Sequence, residues 1–381
     1  MKAIRRYIDK IKPQFEKGGR FEKLQSTFDA FETFLFVPNK TTTTGAHIRD
    51  AMDMKRTMSV VVIALIPALL FGIWNVGYHH FLSHGESPGL WPIVLYGLIK
   101  VLPIVVVSYV TGLAIEFVFA QIRGHEVNEG FLVSGMLIPL VVSPDIPLWM
   151  VALATAFAVV VGKEVFGGTG MNIMNPALLA RAFLFFAYPQ DISGDKVWIA
   201  EKADAYSGAT PLAQAAAGNI DQMPSPLDMF LGIIPGSIGE TSTLLILLGG
   251  AILIYTGVGS WRIMLSGFAG GLLTGLLFNV WGANEFMLVP AWQQLIMGGF
   301  AFGIVFMATD PVSGAQTNKG KVIYGFLIGV TALLIRVLNP AYPEGIMLAI
   351  LFMNIMAPLI DHYVVEGNIK RRLKRMKVKT A

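Results

Sequence analysis

Long hydrophobic segments separated by short polar ones recur along the chain from Thr57 to Asp361. Each is close to the length of about 20 residues that an α-helix needs to cross a bilayer. Several segments are short or contain Gly or Pro, which favours broken helices. The pattern therefore predicts an all-α polytopic membrane protein with about ten transmembrane helices. The predicted spans are 57–78, 91–121, 131–144, 146–162, 173–188, 242–259, 263–281, 292–309, 322–338 and 345–361.

The basic residues divide the connections between these spans into two classes. If the N-terminus is cytoplasmic, the segments on its side hold most of the 29 Lys and Arg residues. The opposite connections hold Lys196 and Lys202 alone. Cytoplasmic connections of membrane proteins carry an excess of Lys and Arg, so both termini are expected in the cytoplasm.

The remaining polar sequence defines three further regions. Residues 1–56 form a cytoplasmic arm, and residues 362–381 form a basic tail suited to lipid headgroups. The long connection 189–228, called the outer loop below, is expected to be acidic, solvated and periplasmic. The arm is expected to contain an amphipathic helix at the membrane surface, although a surface helix against a partner subunit explains its pattern equally well. That pattern is the helical spacing of Ile4, Tyr7, Ile8, Ile11 and Phe15.

Composition narrows the function classes. Hydrophobic residues make up 54% of the chain and charged residues 14%, whereas charged residues are about 25% of a soluble domain. Soluble globular and disordered classes are therefore excluded. The absence of cysteine excludes disulfides, Cys-ligated iron–sulfur clusters, Cys-zinc sites and a catalytic thiol in this chain. The net charge of +4 is concentrated at the two ends, which favours a membrane surface over nucleic acid.

A weak internal repeat accompanies the spans. The triplet Asn-Pro-Ala occurs at 175–177 and again at 339–341, each time about one helix and one connection after a proline that ends an apolar run. The predicted topology places the two triplets in opposite orientations. An inverted repeat with broken helices, as in transporters, is therefore expected.

Two polar stretches could carry chemistry. In 206-Tyr-Ser-Gly-Ala-Thr-210, small residues would let a bulky group be esterified to Thr210, although a plain turn explains the same residues. In 162–172, glycines interrupt an apolar segment before Asn175. They would allow the backbone to approach a flat ligand, or equally allow tight helix packing. This stretch matches neither a Walker loop nor a dinucleotide fingerprint.

Ionisable residues also occur in or at the ends of the apolar spans. A charge at mid-bilayer costs at least ~2.5 kcal/mol, so each must be paired, lie near a surface or line a polar path. A buried carboxylate suits a hard cation such as Na⁺, or pairs with a partner's charge. The residues concerned are Lys100, Glu116, Arg181, Glu240, Asp310, Arg336 and Asp361. His79, His80 and His84 form no recognisable triad and are expected at the interface.

Taken together, the motifs of the chain resemble those of the B subunits of the sodium-translocating NADH:quinone oxidoreductases. They occur in one order over nearly the whole length, which makes the resemblance highly specific. They are 47-HIRD-50, 125-HEVNEG-130, 163-KEVFGGTG-170, 181-RAFLFFAYP-189, 207-SGAT-210, 235-PGSIGE-240, 307-MATDPVS-313 and 339-NPAYPEG-345.

The resemblance implies two flavins, a sodium pathway and a quinone site. FMN is expected as a phosphoester on Thr210, within the motif formed with Ser207, Gly208 and Ala209. Non-covalent riboflavin is expected at Asn172 and Asn175. The acidic positions implied for the sodium pathway are Glu116, Asp310 and Asp361. Gly112 matches a glycine linked to quinone reduction, but the family's second glycine is replaced here by Leu113.

By the same resemblance, the chain is expected to be one subunit of a redox-driven sodium pump in a bacterial inner membrane. It would pass electrons through FMN and riboflavin to ubiquinone while Na⁺ is exported. NADH and iron–sulfur sites would lie on the partner subunits A, C, D, E and F. The D subunit of the ferredoxin:NAD oxidoreductase (Rnf) complex shares the flavin attachment motif, but the 46 residues before His47 favour the quinone-reducing complex. A passive channel or secondary transporter, without flavin, is the alternative from another class.

Overall fold

A computed structural model describes residues 2–15, 18–21, 25, 28, 32, 36, 42–47, 54–123, 130–204, 206–339, 342 and 344–379. Within these residues, all regular secondary structure is helical. The predicted all-α class is therefore confirmed. Parts of three sequence motifs, at 48–50, at 125–129 and at 340, 341 and 343, lie outside the described residues, as do most residues of 16–53.

Six helices are long and apolar enough to span a membrane, which confirms a polytopic protein. They are Met54–Ser83, Leu90–Arg123, Leu148–Phe166, Trp261–Trp281, Asn318–Leu338 and Ile346–Met376. Three shorter apolar helices, Phe131–Leu140, Pro176–Ala187 and Thr243–Tyr255, coincide with further predicted spans. The tenth predicted span, 292–309, is split between short helices, so the number of crossings stays a prediction.

We number the helices in chain order as follows. They are α1 (Lys2–Ile11), α2 (Met54–Ser83), α3 (Leu90–Arg123), α4 (Phe131–Leu140), α5 (Leu148–Gly162), α6 (Pro176–Ala187), α7 (Pro189–Ile192), α8 (Pro211–Ala216), α9 (Pro226–Leu231), α10 (Thr243–Tyr255), α11 (Trp261–Trp281), α12 (Glu285–Leu288), α13 (Ala291–Ile296), α14 (Phe300–Phe302), α15 (Asn318–Leu338) and α16 (Ile346–Lys379). A π-helical turn, Gly303–Met307, follows α14 directly.

Glycine contacts set the spacing between some of these helices. A methyl group at Gly329 of α15 would overlap the carbonyl oxygen of Gly267 in α11. A methyl group at Gly97 of α3 would likewise overlap the carbonyl oxygen of Ile73 in α2. Small residues at such positions let helices pack backbone to backbone, which is how membrane helices associate without a hydrophobic driving force.

Two helices of the bundle end well inside it, so their terminal backbone groups need internal partners. Helix α4 ends at Leu140, whose carbonyl accepts a hydrogen bond from Gly239 N at 2.7 Å. In the turn that follows α4, the carbonyl of Val142 accepts a second hydrogen bond, from Ile238 N at 3.3 Å. Helix α13 stops before Met297 and the chain resumes as α14 at Phe300. These breaks match the broken helices that the sequence predicted.

The arm and the outer loop are both folded where they are described. In the arm, Arg5 of α1 pairs with Glu32 at 3.0 Å, so the helix packs against the arm itself; its position at a membrane surface stays a prediction. The outer loop was expected to be acidic and solvated, and Asp195, Glu201, Asp204 and Asp221 are indeed exposed. The apolar side chains of Ile192, Ile199 and Leu212, which alternate with the acidic residues along the loop, are buried by its short helices and turns.

Candidate functional site

Two cavities in the described part of the bundle contain the residues that the sequence singled out for ligands. The first, the asparagine cavity, is lined by Asn172 and Asn175 and has an empty volume of about 790 Å³. The second, the threonine cavity, is lined by Thr210 and has an empty volume of about 770 Å³. These volumes include space that is open to solvent, so each site is a partly open cleft.

A glycine-rich turn shapes one wall of the asparagine cavity. Gly167, Gly168 and Gly170 have φ values of 121°, 99° and 88°, which only glycine adopts without strain. They reverse the chain after α5 and place Asn172 and Asn175 in the cavity wall. Of the two explanations left open by the sequence, a backbone shaped around a cavity therefore fits better than close helix packing.

Asn175 has one free functional group on this wall. Its side-chain oxygen caps α6 by accepting hydrogen bonds from Ala177 N at 2.9 Å and Leu178 N at 3.4 Å. This role fixes the amide orientation. Its NH₂ group is therefore the part left to bind a ligand. The neighbouring Asn172 donates to the Met174 carbonyl at 3.1 Å.

A buried ion pair connects this cavity to α3. Lys163, just after α5, lines the cavity and donates a hydrogen bond to Glu116 of α3. The side chains of Lys163 and Glu116 are only 5% and 4% exposed. A second pair lies beside it, between Arg123 and Glu164 at 3.0 Å. Glu116 is thus paired as the sequence required, and it is joined to the cavity through Lys163 rather than lining it.

Asp310 lines the asparagine cavity from the opposite half of the chain. It follows the π-helical turn Gly303–Met307, and such turns recur at functional sites. Its carboxylate accepts hydrogen bonds from Val312 N at 3.1 Å and Ser313 Oγ at 2.7 Å. Two residues expected in the sodium pathway, Glu116 and Asp310, are therefore brought to the same side of the molecule.

Thr210 stands at the start of α8, at the edge of the threonine cavity. Its Oγ1 caps the helix by accepting a hydrogen bond from Ala213 N at 3.2 Å. Gly208 serves a different purpose from the one expected: a methyl group there would overlap the carbonyl oxygen of Asp195. The glycine thus lets two parts of the outer loop pack closely. Ser207 is exposed and its Oγ accepts from Ala209 N at 3.4 Å.

Buried charges line the same threonine cavity. Arg181 of α6, 3% exposed, donates to Glu240 at 2.9 Å and to Glu344. It also donates to the Val141 carbonyl at 2.6 Å, just beyond the end of α4. A cation at that position satisfies free carbonyls and complements the negative end of the helix dipole. Arg181 therefore stabilises both the helix break and the cavity wall.

Arg336 performs the corresponding role at the second helix break. It is 1% exposed and donates hydrogen bonds to the carbonyls of Gln294 and Met297, at the end of α13. Each half of the chain thus uses one buried arginine to cap an interrupted helix. This shared device is consistent with the predicted internal repeat.

Helix α6 joins the two cavities. Pro176 at its start lines the asparagine cavity, whereas Arg181 and Phe185 line the threonine cavity. At 1.5 Å per residue, Pro176 and Arg181 are separated by about 7.5 Å along the helix axis. The segment from Gly299 through the π-helical turn to Thr309 also borders both cavities. Ligands in the two cavities would therefore be separated by only a few side chains.

Two predicted site residues lie elsewhere. Gly112 of α3 is covered by the ring of Phe131, which would overlap any methyl group there; Phe131 is 1% exposed. Asp361 of α16 accepts hydrogen bonds from the backbone N–H of Gln316 and Thr317 at 2.6 and 3.0 Å. Its described contacts therefore secure the start of α15.

The intramembrane Lys100 is explained by the outer loop. Its ammonium lies 2.7 Å from Glu201 and 3.5 Å from Asp145. Tyr96 donates to Glu201 at 2.9 Å and stacks on His80, with ring centroids 3.8 Å apart. Hydrogen bonds from Lys100 and then from Tyr96 hold the pKa of the Glu201 carboxyl below its usual value. This cluster anchors the outer loop to α2 and α3, and the position of the three histidines at a membrane interface stays a prediction.

The sequence reasoning missed two residues of these sites. Lys163 lay in a quoted motif but was given no role, because its neighbours in sequence do not reveal its partner. Glu344 likewise lay in a quoted motif, 339-NPAYPEG-345, and was given no role because it falls in a polar connection. An indication of both was nevertheless present in the sequence. Glu116 and Arg181 are charges within apolar spans, so each requires an opposite charge nearby. Lys163 and Glu344 carry those charges, and each lies next to the end of a predicted span.

Comparison with known proteins finds relatives over nearly the whole chain. The model of the family described as NQR2, RnfD, RnfE matches residues 41–370. A protein of Stutzerimonas stutzeri, named as the B subunit of a Na(+)-translocating NADH-quinone reductase, is 49% identical over 98% of this chain and 99% of its own length. A protein of the same name from Azotobacter vinelandii has the same identity and coverage. One from Pseudomonas aeruginosa is 47% identical, again over 98% and 99%.

Proposed function

The chain belongs to the NQR2, RnfD, RnfE family, and from this premise we propose that it is the B subunit of a sodium-translocating NADH:quinone oxidoreductase. The similarity to named B subunits covers 98% of the chain, which favours this complex over the related Rnf complex. The chain is thus one membrane subunit of a multi-subunit translocase. It transfers electrons toward quinone, and the energy released moves Na⁺ across the membrane.

The observation that carries this proposal is the pair of cavities joined by α6. Thr210 lies at one and Asn172 and Asn175 at the other, so each implied flavin has a cavity lined by its expected binding residues. A flavin connects a two-electron hydride donor to one-electron chemistry. A passive channel would need one continuous polar path, whereas the two cavities share no lining residue among the described ones.

The residues present fit the groups they would hold. The carbonyl oxygens and ring nitrogens of an isoalloxazine accept hydrogen bonds, and the asparagine cavity offers the NH₂ group of Asn175 and the ammonium of Lys163 as donors. Covalent attachment at Thr210 would keep FMN at high effective concentration beside its redox partner. Ser207, Gly208 and Ala209 form the attachment motif but do not line the cavity, so their role is to present Thr210.

The ion and quinone sites are proposed on the same basis. Glu116 and Asp310 serve the sodium pathway, because carboxylate oxygens suit a hard cation. Asp361 belongs to that pathway by resemblance, while its contacts here secure α15. Gly112 marks the quinone region; because Phe131 covers it, quinone access there requires the ring to move.

The surroundings of the subunit complete the proposal. It lies in a bacterial inner membrane with both termini in the cytoplasm and the outer loop in the periplasm. Subunits A, C, D, E and F supply the NADH and iron–sulfur sites, and ubiquinone is the acceptor. Alkaline phosphatase fused near Lys196 should be active. An inactive phosphatase, with an active cytoplasmic reporter at the same position, would reverse this topology.

Flavin attachment is tested by in-gel fluorescence of the denatured chain from a host able to attach flavin. The wild-type band should fluoresce under ultraviolet light, and Thr210→Ala should abolish the signal. Ser225→Ala is the matched control, since it removes a hydroxyl from the same outer loop and leaves the attachment motif intact. A dark wild-type band would refute covalent FMN and leave a carrier without flavin as the remaining explanation.

A second measurement addresses the asparagine cavity. Asn172→Leu and Asn175→Leu remove amide groups while keeping side-chain size. Acid extraction should then yield less riboflavin, while fluorescence of the denatured chain from FMN persists. Unchanged riboflavin content in both variants would place this flavin elsewhere.

A further inference from the structure

Lys163 is the one cationic side chain among the described residues that line the asparagine cavity. Its ammonium group is nevertheless engaged outside the wall, where it donates to Glu116. A lysine ammonium is a compact charge on a flexible four-carbon stem. Lys163 can therefore reach either Glu116 or a ligand in the cavity by rotating its side chain.

Glu116 depends on this lysine. The structure shows one hydrogen-bond partner for its carboxylate, Lys163, and both side chains are more than nine-tenths buried. Removing one member of such a buried pair leaves an uncompensated charge. If Lys163 turned away, Glu116 would therefore require another cation in its place.

The other acidic residue on the cavity is already satisfied. Asp310 accepts hydrogen bonds from Val312 N and Ser313 Oγ, and no ion pair with it is found in the described part of the chain. Arg123 is held by Glu164, through its carboxylate at 3.0 Å and its carbonyl at 2.6 Å. Lys163 is thus the charge that can change partners here.

We propose that Lys163 is a positioning residue whose ammonium alternates between Glu116 and the asparagine cavity, so that negative charge in the cavity frees Glu116 to bind one Na⁺. The inference rests on the proposed function, which provides a flavin in the cavity and a sodium pathway through Glu116. It adds the side chain that couples them.

The charges balance in each state. With the cavity neutral, Lys163 compensates Glu116. One electron, derived from NADH, adds one negative charge to the cavity, and Lys163 turns to compensate it. One Na⁺ then compensates Glu116, so the buried region stays neutral. When the electron leaves toward quinone, Lys163 returns to Glu116 and displaces the Na⁺.

The mechanism requires reciprocal coupling between electron and sodium binding. If reduction strengthens Na⁺ binding at Glu116 by some factor, Na⁺ must favour reduction by the same factor. For a one-electron couple, a tenfold effect corresponds to a shift of ~59 mV in midpoint potential. We expect a coupling of at least tenfold in the wild-type complex.

The experiment uses the purified complex with three variants of this chain. Lys163→Met removes the ammonium and keeps an unbranched apolar stem. Glu116→Gln removes the carboxylate, which leaves Lys163 free to face the cavity. Lys319→Met, at an exposed position at the start of α15, is the matched control for loss of one lysine charge. Binding of ²²Na⁺ to the oxidised complex and the midpoint potential of the extractable flavin, with and without Na⁺, are measured for each.

The two test variants should shift the potential in opposite directions. Lys163→Met should lower the midpoint, because the cavity loses its cation, and should strengthen Na⁺ binding to the oxidised complex at least tenfold, because Na⁺ no longer competes with lysine. Glu116→Gln should raise the midpoint and remove its dependence on Na⁺. Lys319→Met should behave like wild type. A purely structural pair would give shifts of the same sign in both test variants.

The result that overturns the proposal is an unchanged Na⁺ affinity of the oxidised Lys163→Met complex, or shifts of equal sign. If Lys163→Met does not assemble, the sign of the Glu116→Gln shift and its Na⁺ dependence decide the question. The riboflavin content of each preparation is measured as well, because it distinguishes failure of this proposal from failure of the proposed function. Wild-type complex without extractable riboflavin refutes the flavin site itself, whereas normal riboflavin with unchanged Na⁺ binding refutes the lysine switch alone.

Discussion

Replacing Arg181 with methionine tests how much of the bundle depends on one buried charge. The guanidinium donates to Glu240 at 2.9 Å, to Glu344, and to the carbonyl of Val141 at 2.6 Å. Removing one member of a buried ion pair costs about 3–5 kcal/mol, because the remaining charge is left without compensation. The side chain of Glu344 is 22% exposed, so solvent relieves part of its cost. We therefore expect a loss of about 3–5 kcal/mol, set mainly by Glu240.

A double-mutant cycle separates the charge effect from lost packing. Denaturant unfolding of the chain in detergent micelles is followed by tryptophan fluorescence for Arg181→Met, Glu240→Gln and the double variant. In the double variant, the neutral amide at position 240 leaves no uncompensated charge there. The coupling energy between the two substitutions should therefore be about 1–3 kcal/mol. Arg371→Met, in the exposed tail, is the control and should change stability by less than about 0.5 kcal/mol. Additive effects of the two single variants would refute the reasoning.

Three further perturbations follow from the structure. Gly112→Ala forces a methyl group against the Phe131 ring. The variant should therefore lower the free energy of unfolding by about 1–3 kcal/mol and raise the KM for quinone. Unchanged stability would contradict this packing. Because the pKa of Glu201 is lowered by Lys100, their pairing stabilises the outer loop above the normal carboxyl pKa and is lost as pH falls through the lowered one. After correction for the slower intrinsic exchange of amides in acid, the protection of the outer loop against hydrogen exchange should therefore fall on acidification. Lys100→Met should show low protection throughout; a pH response of the protection that persists in the variant would refute this. Asp361→Asn should lower the free energy of unfolding by about 1 kcal/mol, as does the loss of a helix cap. A variant of unchanged stability with an altered sodium response would instead assign Asp361 to the sodium pathway.

The elements predicted well from the sequence are those set by local pattern. Long apolar runs predict membrane helices because no other open structure satisfies the backbone in lipid. The start of α6 was also visible, since Asn175 followed by Pro176 is an N-cap with proline at the first helical position. The break after Met297 is marked by Gly298 and Gly299, and Gly298 has a φ of 61°; the buried Arg336 that caps it lies too far along the chain to be recognised from the local sequence.

The pairing of charges could not be read from the sequence. Arg181 and Glu344 come from opposite halves of the chain, and Glu116 and Lys163 lie 47 residues apart in the first half. Each pair meets only because the helices pack together. The high cost of an unpaired intramembrane charge predicted that partners exist. It did not identify them, because many arrangements of about ten spans satisfy the same rule.

The two cavities differ in the kind of cation that serves them. At the threonine cavity, Arg181 is bound by a carbonyl and two carboxylates, and a planar guanidinium with several fixed donors cannot leave one partner without disturbing the others. At the asparagine cavity, Lys163 has one carboxylate partner and a flexible stem. A fixed cation can adjust the potential of a group bound nearby but cannot release a carboxylate when charge arrives. A mobile cation can do so, and we therefore propose the asparagine cavity, where Lys163 connects the cavity wall to Glu116, as the place where electron transfer and Na⁺ binding are coupled.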